Sequence, residues 1–137
     1  MLKRILIFGL LLSLQFSYSQ INLLSFSKQD FVYDNTTKNL KSQSDVKKIL
    51  RSFSFILKDP KSITISEILS SQTISKRYDV ISIEDDKVND LINFIIKDEK
   101  KIEYTLMLSI KKNQIVLVYL ENNETFVADY RLISTKN

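Results

Sequence analysis

The sequence predicts an α+β domain: one amphipathic helix packed on a twisted antiparallel β-meander, behind an N-terminal export segment. Three observations carry that expectation. The stretch "SDVKKILRSFSFILKDP" has the periodicity of a helix. Polar clusters "EDDK", "KDEK", "KKNQ" and "NNET" begin at residues 84, 97, 111 and 122, with apolar runs between them. Paired as hairpins, those runs gather their apolar positions on one face of a sheet.

In chain order, "MLKRILIFGLLLSLQFSYSQ" comes first. Lys3 and Arg4 precede an apolar run from Ile5 to Leu12, and Ser17 and Ser19 put small residues ahead of Gln20. This is the grammar of a secretory signal cleaved after Ser19. The uncharged run is shorter than the ~20 apolar residues that span a bilayer. Without cysteine it carries no lipid attachment site. The expected organisation is a signal peptide over 1–19, a polar lead-in over 20–43 and a single domain over 44–137. The expected location is the periplasm, the cell envelope or the medium. Loss of Lys3 and Arg4 lowers the net charge from +4 to +2, and the only glycine, Gly9, leaves with them.

Within the lead-in, Phe31-Val32-Tyr33 reads as a short strand, residues 34–37 as a turn, and a second extended piece reaches Leu40. The helix follows. Ser44 caps its start, Asp45 favours the positive end of the dipole, and Val46, Ile49, Leu50 and Phe53 fall on one face. Asp59-Pro60 stops it, because the residue before a proline is pushed out of the helical region. Residues 52–56, Ser-Phe-Ser-Phe-Ile, also fit a strand. A weak strand over 63–69, or a short helix from Ser66, follows. A better one lies in "KRYDVISIE", with Tyr78, Val80 and Ser82 on one face. "VNDLINFII" fits both periods, and its β-branched and aromatic content favours a strand.

Four-residue loops set the remaining register: Leu106 opposite Tyr119, Leu108 opposite Leu117, Leu117 opposite Tyr130, and Tyr119 opposite Ala128. One face then collects Tyr104, Leu106, Leu108, Ile115, Leu117, Tyr119, Phe126, Ala128 and Tyr130. The other mixes Glu103, Thr105, Met107, Val116, Val118, Leu120, Val127, Asp129 and Arg131. The strand over 115–121 is apolar on both sides, which predicts a central strand covered twice, with the helix as one cover. A helix followed by a curved meander resembles the cystatin-like or NTF2-like outline. A meander closing on itself resembles a lipocalin-type all-β barrel, the alternative. The likeness is in the order of elements over residues 44–133, without a sequence motif of either family. The glycine-centred turn of lipocalins is missing.

Composition narrows the chemistry. With no cysteine and no histidine, thiol catalysis, Ser-His-Asp triads and thiolate or imidazole metal sites cannot be built. Without glycine in the exported chain, phosphate-cradling loops and dinucleotide fingerprints are also excluded. Turns that need positive φ must then use Asn or Asp. Basic residues alternate with acids, as in "KDEKKIE", so no nucleic-acid stripe forms. Two glycosylation sequons, at Asn35 and Asn123, matter only in a host that modifies them.

The candidate sites follow from the sheet. Asp129 and Arg131 share a face, where Arg131 would bind an anionic ligand oriented by Asp129, or form a plain surface pair. Tyr104, Tyr119 and Tyr130 share the other face, as an aromatic wall for a ligand or as core packing with hydroxyls at the rim. Glu84, Asp85, Asp86 and Asp90 read as a solvated turn rather than a calcium site, since they lack the spacing and the glycine of a calcium loop. Ser44-Asp45-Val46-Lys47 fits a bare Ser-x-x-Lys spacing, but Ser44 reads as a helix cap. No catalytic residue, cofactor or metal is assigned. The expected function is non-catalytic: an exported domain that binds a small ligand or a partner through its sheet or the sheet–helix cavity. The alternative is an interaction subunit of an envelope assembly. A carboxylate-dependent hydrolase comes third. The mature chain is expected to carry no membrane span and to bind no nucleic acid.

Overall fold

Side-chain alternation, rather than helical periodicity, organises the described residues. The computed structural model describes residues 20–133; the expected signal segment and its cleavage after Ser19 lie outside the described residues. Nine strands follow one another: β1 Gln20–Asp34, β2 Asn39–Ser42, β3 Lys47–Ile56, β4 Ser62–Ile68, β5 Thr73–Asp86, β6 Leu91–Lys97, β7 Glu103–Ser109, β8 Gln114–Glu121 and β9 Glu124–Leu132. Every pair is antiparallel. From β3 to β9 each strand pairs with the next. The long β1 pairs with β3 through its first half (Leu23 opposite Phe53) and with β9 through its second (Lys28 opposite Tyr130). The sheet therefore closes into an eight-stranded barrel, with β2 laid beside the far end of β1. A closed meander fits the lipocalin-like all-β alternative and removes most of the open edge that an antiparallel sheet would expose.

The α+β expectation is overturned: there is no helix among the described residues, and the predicted helix is β3. The helical stripe does not survive burial. Phe53 and Phe55 are buried, while Val46 is 61 % exposed and Leu50 is 38 % exposed. The period-two run Ser52-Phe53-Ser54-Phe55 wins because each inward phenylalanine meets two cross-strand partners. Phe53 faces Leu23 and Ile65, and Phe55 faces Ile21 and Ile63. Ser44 is accordingly no helix cap. Its hydroxyl accepts the Asp30 amide at 3.2 Å, in the connector between β2 and β3. The expected sheet–helix cavity disappears with the helix. Instead the inward faces of all eight strands meet, as in other barrels of this strand number, whose interior is just wide enough for side chains to fill it.

The strand expected over 88–96 is present as β6, from Leu91 to Lys97. The predicted faces of β7, β8 and β9 are also present, but both registers are shifted by two residues. Tyr104 faces Tyr119 and Leu106 faces Leu117, then Leu117 faces Ala128 and Tyr119 faces Phe126. A shift of two keeps every side chain on its face, whereas a shift of one would have reversed them. The cause lies in the loops. Asn122-Asn123 alone connects β8 to β9, with φ of 50° and 64°, the left-handed pair of a two-residue hairpin. Asp90 and Asn113 also adopt positive φ, as expected of a chain whose only glycine is Gly9; Lys38 and Lys101 do so too.

Two bulges reverse a strand's faces midway. In β1 the register slips between Ser25 and Ser27, so Ile21 and Leu23 point inward before it and Lys28 and Asp30 after it. In β5 it slips between Val80 and Ser82, so Ile83 rather than Ser82 faces Phe94.

Candidate functional site

One end of the barrel interior is apolar and the other is charged. Towards the apolar end, Phe55, Ile63, Phe94, Leu108 and Ile115 are buried side by side. Towards the other end, where the turn at Asn122-Asn123 lies, inward-facing positions carry ionisable side chains. Lys28 and Asp30 stand opposite Tyr130 and Ala128. Arg51, two residues before Phe53, stands opposite Glu67, two residues after Ile65. Lys76 stands opposite Ile65, and Asp98 follows Ile96 past the end of β6.

These six side chains form three ion pairs. Lys28 Nζ lies 3.2 Å from Asp30, Arg51 Nη2 lies 3.4 Å from Glu67, and Lys76 Nζ lies 3.3 Å from Asp98. Tyrosine rings fill the space beneath and between them. The Tyr130 ring has Arg51 over it at 5.4 Å and Lys28 at 5.9 Å, and meets Phe53 edge-on. Its hydroxyl accepts a hydrogen bond from Arg51 Nη1 at 2.9 Å. Lys76 lies 5.3 Å over Tyr78 and 5.6 Å over Tyr104. Tyr104 packs against Tyr78 and Tyr119, and Tyr119 stacks on Phe126 at 5.4 Å.

Asp98 is the best-held of the acids. It is almost completely buried, and its Oδ1 accepts the amides of Lys100 and Ile102 at 2.9 and 3.0 Å. Its Oδ2 accepts the Tyr104 hydroxyl at 3.1 Å. Burial works against its charge, yet the Ile102 amide, Lys76 and Tyr104 outweigh burial and hold the carboxyl below its ordinary value. Desolvation likewise opposes the Lys76 ammonium, and Tyr78, Asp98 and Tyr104 outweigh it, raising the lysine's pKa. Burial pushes the Tyr130 phenol up to about 12 despite the opposing charge of Arg51. At neutral pH Lys76 and Asp98 are therefore charged and Tyr130 is neutral. One donor is left over: Arg51 Nε is buried with no acceptor among the described residues.

The structure thus brings Tyr104, Tyr119 and Tyr130 to one charged mouth and leaves Asp129 and Arg131 outside it. The latter two are on the outer wall, 3.3 Å apart, with Gln114 donating to the other carboxylate oxygen of Asp129 at 2.9 Å. In the acid-rich turn, Asp86 is engaged by both the amide and the side chain of Asn89. None of the six mouth charges is among the site residues expected from the sequence, although three of them leave a signal there. Arg51, Glu67 and Lys76 occupy the next inward position beside Phe53, Ile65 and Tyr78, where alternation calls for an apolar residue. A separate open groove of about 430 Å³ lies towards the other end, lined by Asp59, Pro60, Lys61 and residues 79–83. Comparison of the chain with protein families, with curated proteins and with solved structures returns no match.

Proposed function

We propose that this chain is an exported, non-catalytic β-barrel that binds a small zwitterionic molecule at its charged mouth. The single observation that carries this reading is the set of three ion pairs gathered at one end of the barrel interior, five of their six side chains at inward-facing strand positions. Partly buried ion pairs add little stability over apolar packing of similar volume. Concentrating them over tyrosine faces at a barrel mouth suits recognition, since mouths of β-barrels are preferred ligand sites. The three cations and three carboxylates balance, which favours a ligand carrying both signs. Its carboxylate would meet Arg51 and Lys28, and its ammonium Asp30 and Glu67 over the aromatic faces.

Other features fit a water-facing binder. The outer positions of β3 to β5 include Ser52, Ser54, Thr64, Ser66, Ser75 and Arg77, while the interior away from the mouth is apolar. A lipid-facing barrel has the opposite arrangement. The N-terminal grammar of an export signal supports the location, and the lack of histidine and cysteine supports a role without catalysis. Nuclear magnetic resonance titration of the purified protein with free amino acids, and separately with inorganic phosphate, tests the reading. Saturable shifts at Lys28, Arg51 and Tyr119 with an amino acid, lost in Arg51→Met and Tyr119→Ala, are the expected result. Absence of saturable shifts across the amino acids, shifts confined to other surfaces, or an equal response to phosphate alone would overturn it.

A further inference from the structure

β5 runs on past the end of the strand beside it. Its pairing with β4 ends at Asp79 opposite Ser62, and the Val80 amide donates to the Lys61 carbonyl at 3.0 Å. From Ser82 to Asp86, β5 pairs with β6 alone, and no strand among the described residues takes its other edge. The ladder fixes which groups that edge offers. The Asp98 amide donates to the Ile102 carbonyl at 3.1 Å, so the even-numbered residues of β6 turn their backbone groups towards β7 and the odd-numbered ones towards β5. Asn93 and Ile95 therefore bond to Glu84 and Ser82, while the amides and carbonyls of Ile83 and Asp85 point away from β6 to the open side. The groove of about 430 Å³ at this end of the barrel lies along the start of that edge, between it and Asp59, Pro60 and Lys61. Ile81 and Ile83 line it and are 56 % and 42 % exposed.

A bare sheet edge is filled by another strand, which returns an acceptor for each donor at the same repeat. Charge selects which strand. Residues 79–86 carry four carboxylates, Asp79, Glu84, Asp85 and Asp86, and no basic side chain, in a chain of net charge +4. Of the flanking cations, Lys61 and Arg77 lie 4.0 and 3.9 Å from Asp59 and Asp79. A second copy is disfavoured, because antiparallel pairing would lay one acidic edge against another. Alternation sets the rest: Ile83 faces Phe94 on the inner side of the sheet, and Glu84 faces Asn93 on the outer side. We propose that this edge binds an extended peptide segment of alternating basic and apolar residues. The segment adds to β5 as an extra strand, its basic side chains towards Glu84 and its apolar ones beside Ile83. The edge lies at the other end of the barrel from the charged mouth, so the inference does not depend on the ligand bound there.

Fluorescence anisotropy of the purified protein with a labelled peptide of three Lys-Val repeats, its ends blocked, tests it. Saturable binding is expected, weakened by salt and about tenfold weaker for the Glu-Val counterpart. Strand addition uses every second amide of the added segment. Of two peptides N-methylated at every lysine or at every valine amide, one should therefore bind as the parent does and the other about tenfold more weakly. Glu84→Lys should also weaken binding about tenfold, with an unchanged thermal melt. Amide exchange at Ile83 and Asp85 should slow when the peptide is present. The proposal falls if the Lys-Val peptide shows no saturable binding, if both methylated peptides bind equally, or if exchange slows only elsewhere on the barrel. A dimer of the protein alone in sedimentation equilibrium, dissociated by the peptide, would also overturn it, because the occupant of the edge would then be a second copy.

Discussion

Asn122 and Asn123 show how single residues set this barrel. Both hold positive φ, and the two-residue turn they make places Glu121 opposite Glu124. Asn123→Val should lower stability to urea by ~1–2 kcal/mol, because a β-branched residue is strained there, whereas Asn123→Gly should hold or raise it. Tyr130→Phe keeps the ring against Phe53 but removes the acceptor of Arg51 Nη1. We expect a loss of ~1–3 kcal/mol near neutral pH in the same measurement, the usual cost of a buried unpaired donor. The variant should also lose less stability in alkali. The Tyr130 phenol is raised to about 12 in the folded protein, so its contribution is intact below the ordinary tyrosine value and fades as pH rises through about 12. Asp98 has the opposite sign. Its carboxyl is held below the ordinary value, so its contribution is present above about pH 4 and fades as pH falls further. Urea unfolding across the acid range should therefore be flatter for Asp98→Asn than for the parent.

Among the elements, β3 separates two periodicities that coexist in one stretch. The helical stripe groups Val46 with Phe53, whereas the strand buries Phe53 completely and leaves Val46 in water. Phe53→Ala should cost ~3–5 kcal/mol by urea denaturation and Val46→Ala less than ~0.5 kcal/mol. Equal losses would mean that the two share a buried face. The later strands were more legible, because polar turns recur at short intervals and the apolar positions alternate cleanly from Tyr104 to Tyr130. β1 was the hardest to read. Its bulge between Ser25 and Ser27 moves the inward positions from odd to even numbers, and the even ones are Lys28 and Asp30 before Val32. No single period describes that strand, so its alternation cancels over any window long enough to detect it.

For the molecule as a whole, closure falls to the first and eighth of the barrel's strands along the chain. Lys28 to Tyr33 must find Tyr130 to Thr125, a pairing of nearly maximal sequence separation. Such contacts form late and slow folding, but once made they tie the sheet into a single unit. Native-state hydrogen exchange should therefore show the same denaturant dependence in the β1–β9 seam, at Phe31 and Val127, as at Leu106 and Leu117 in the middle of the sheet. A seam that opens at lower free energy than the sheet would instead mark a barrel able to unzip without unfolding.

Residue content and local alternation were enough to determine the inward and outward faces of β7 to β9, the use of Asn and Asp in tight turns, and the company of Tyr104, Tyr119 and Tyr130 on one face. Each is a property of neighbours along the chain or of parity, which a two-residue change of register leaves untouched. Only the tertiary structure decided that residues 47–56 are a strand, that β1 closes the barrel, and that Lys28, Asp30, Arg51, Glu67, Lys76 and Asp98 meet at one mouth. Those outcomes depend on partners distant in sequence: Phe53 becomes a strand residue because Leu23 and Ile65 flank it, and the mouth exists because closure brings β1 and β3 to the same end as β6.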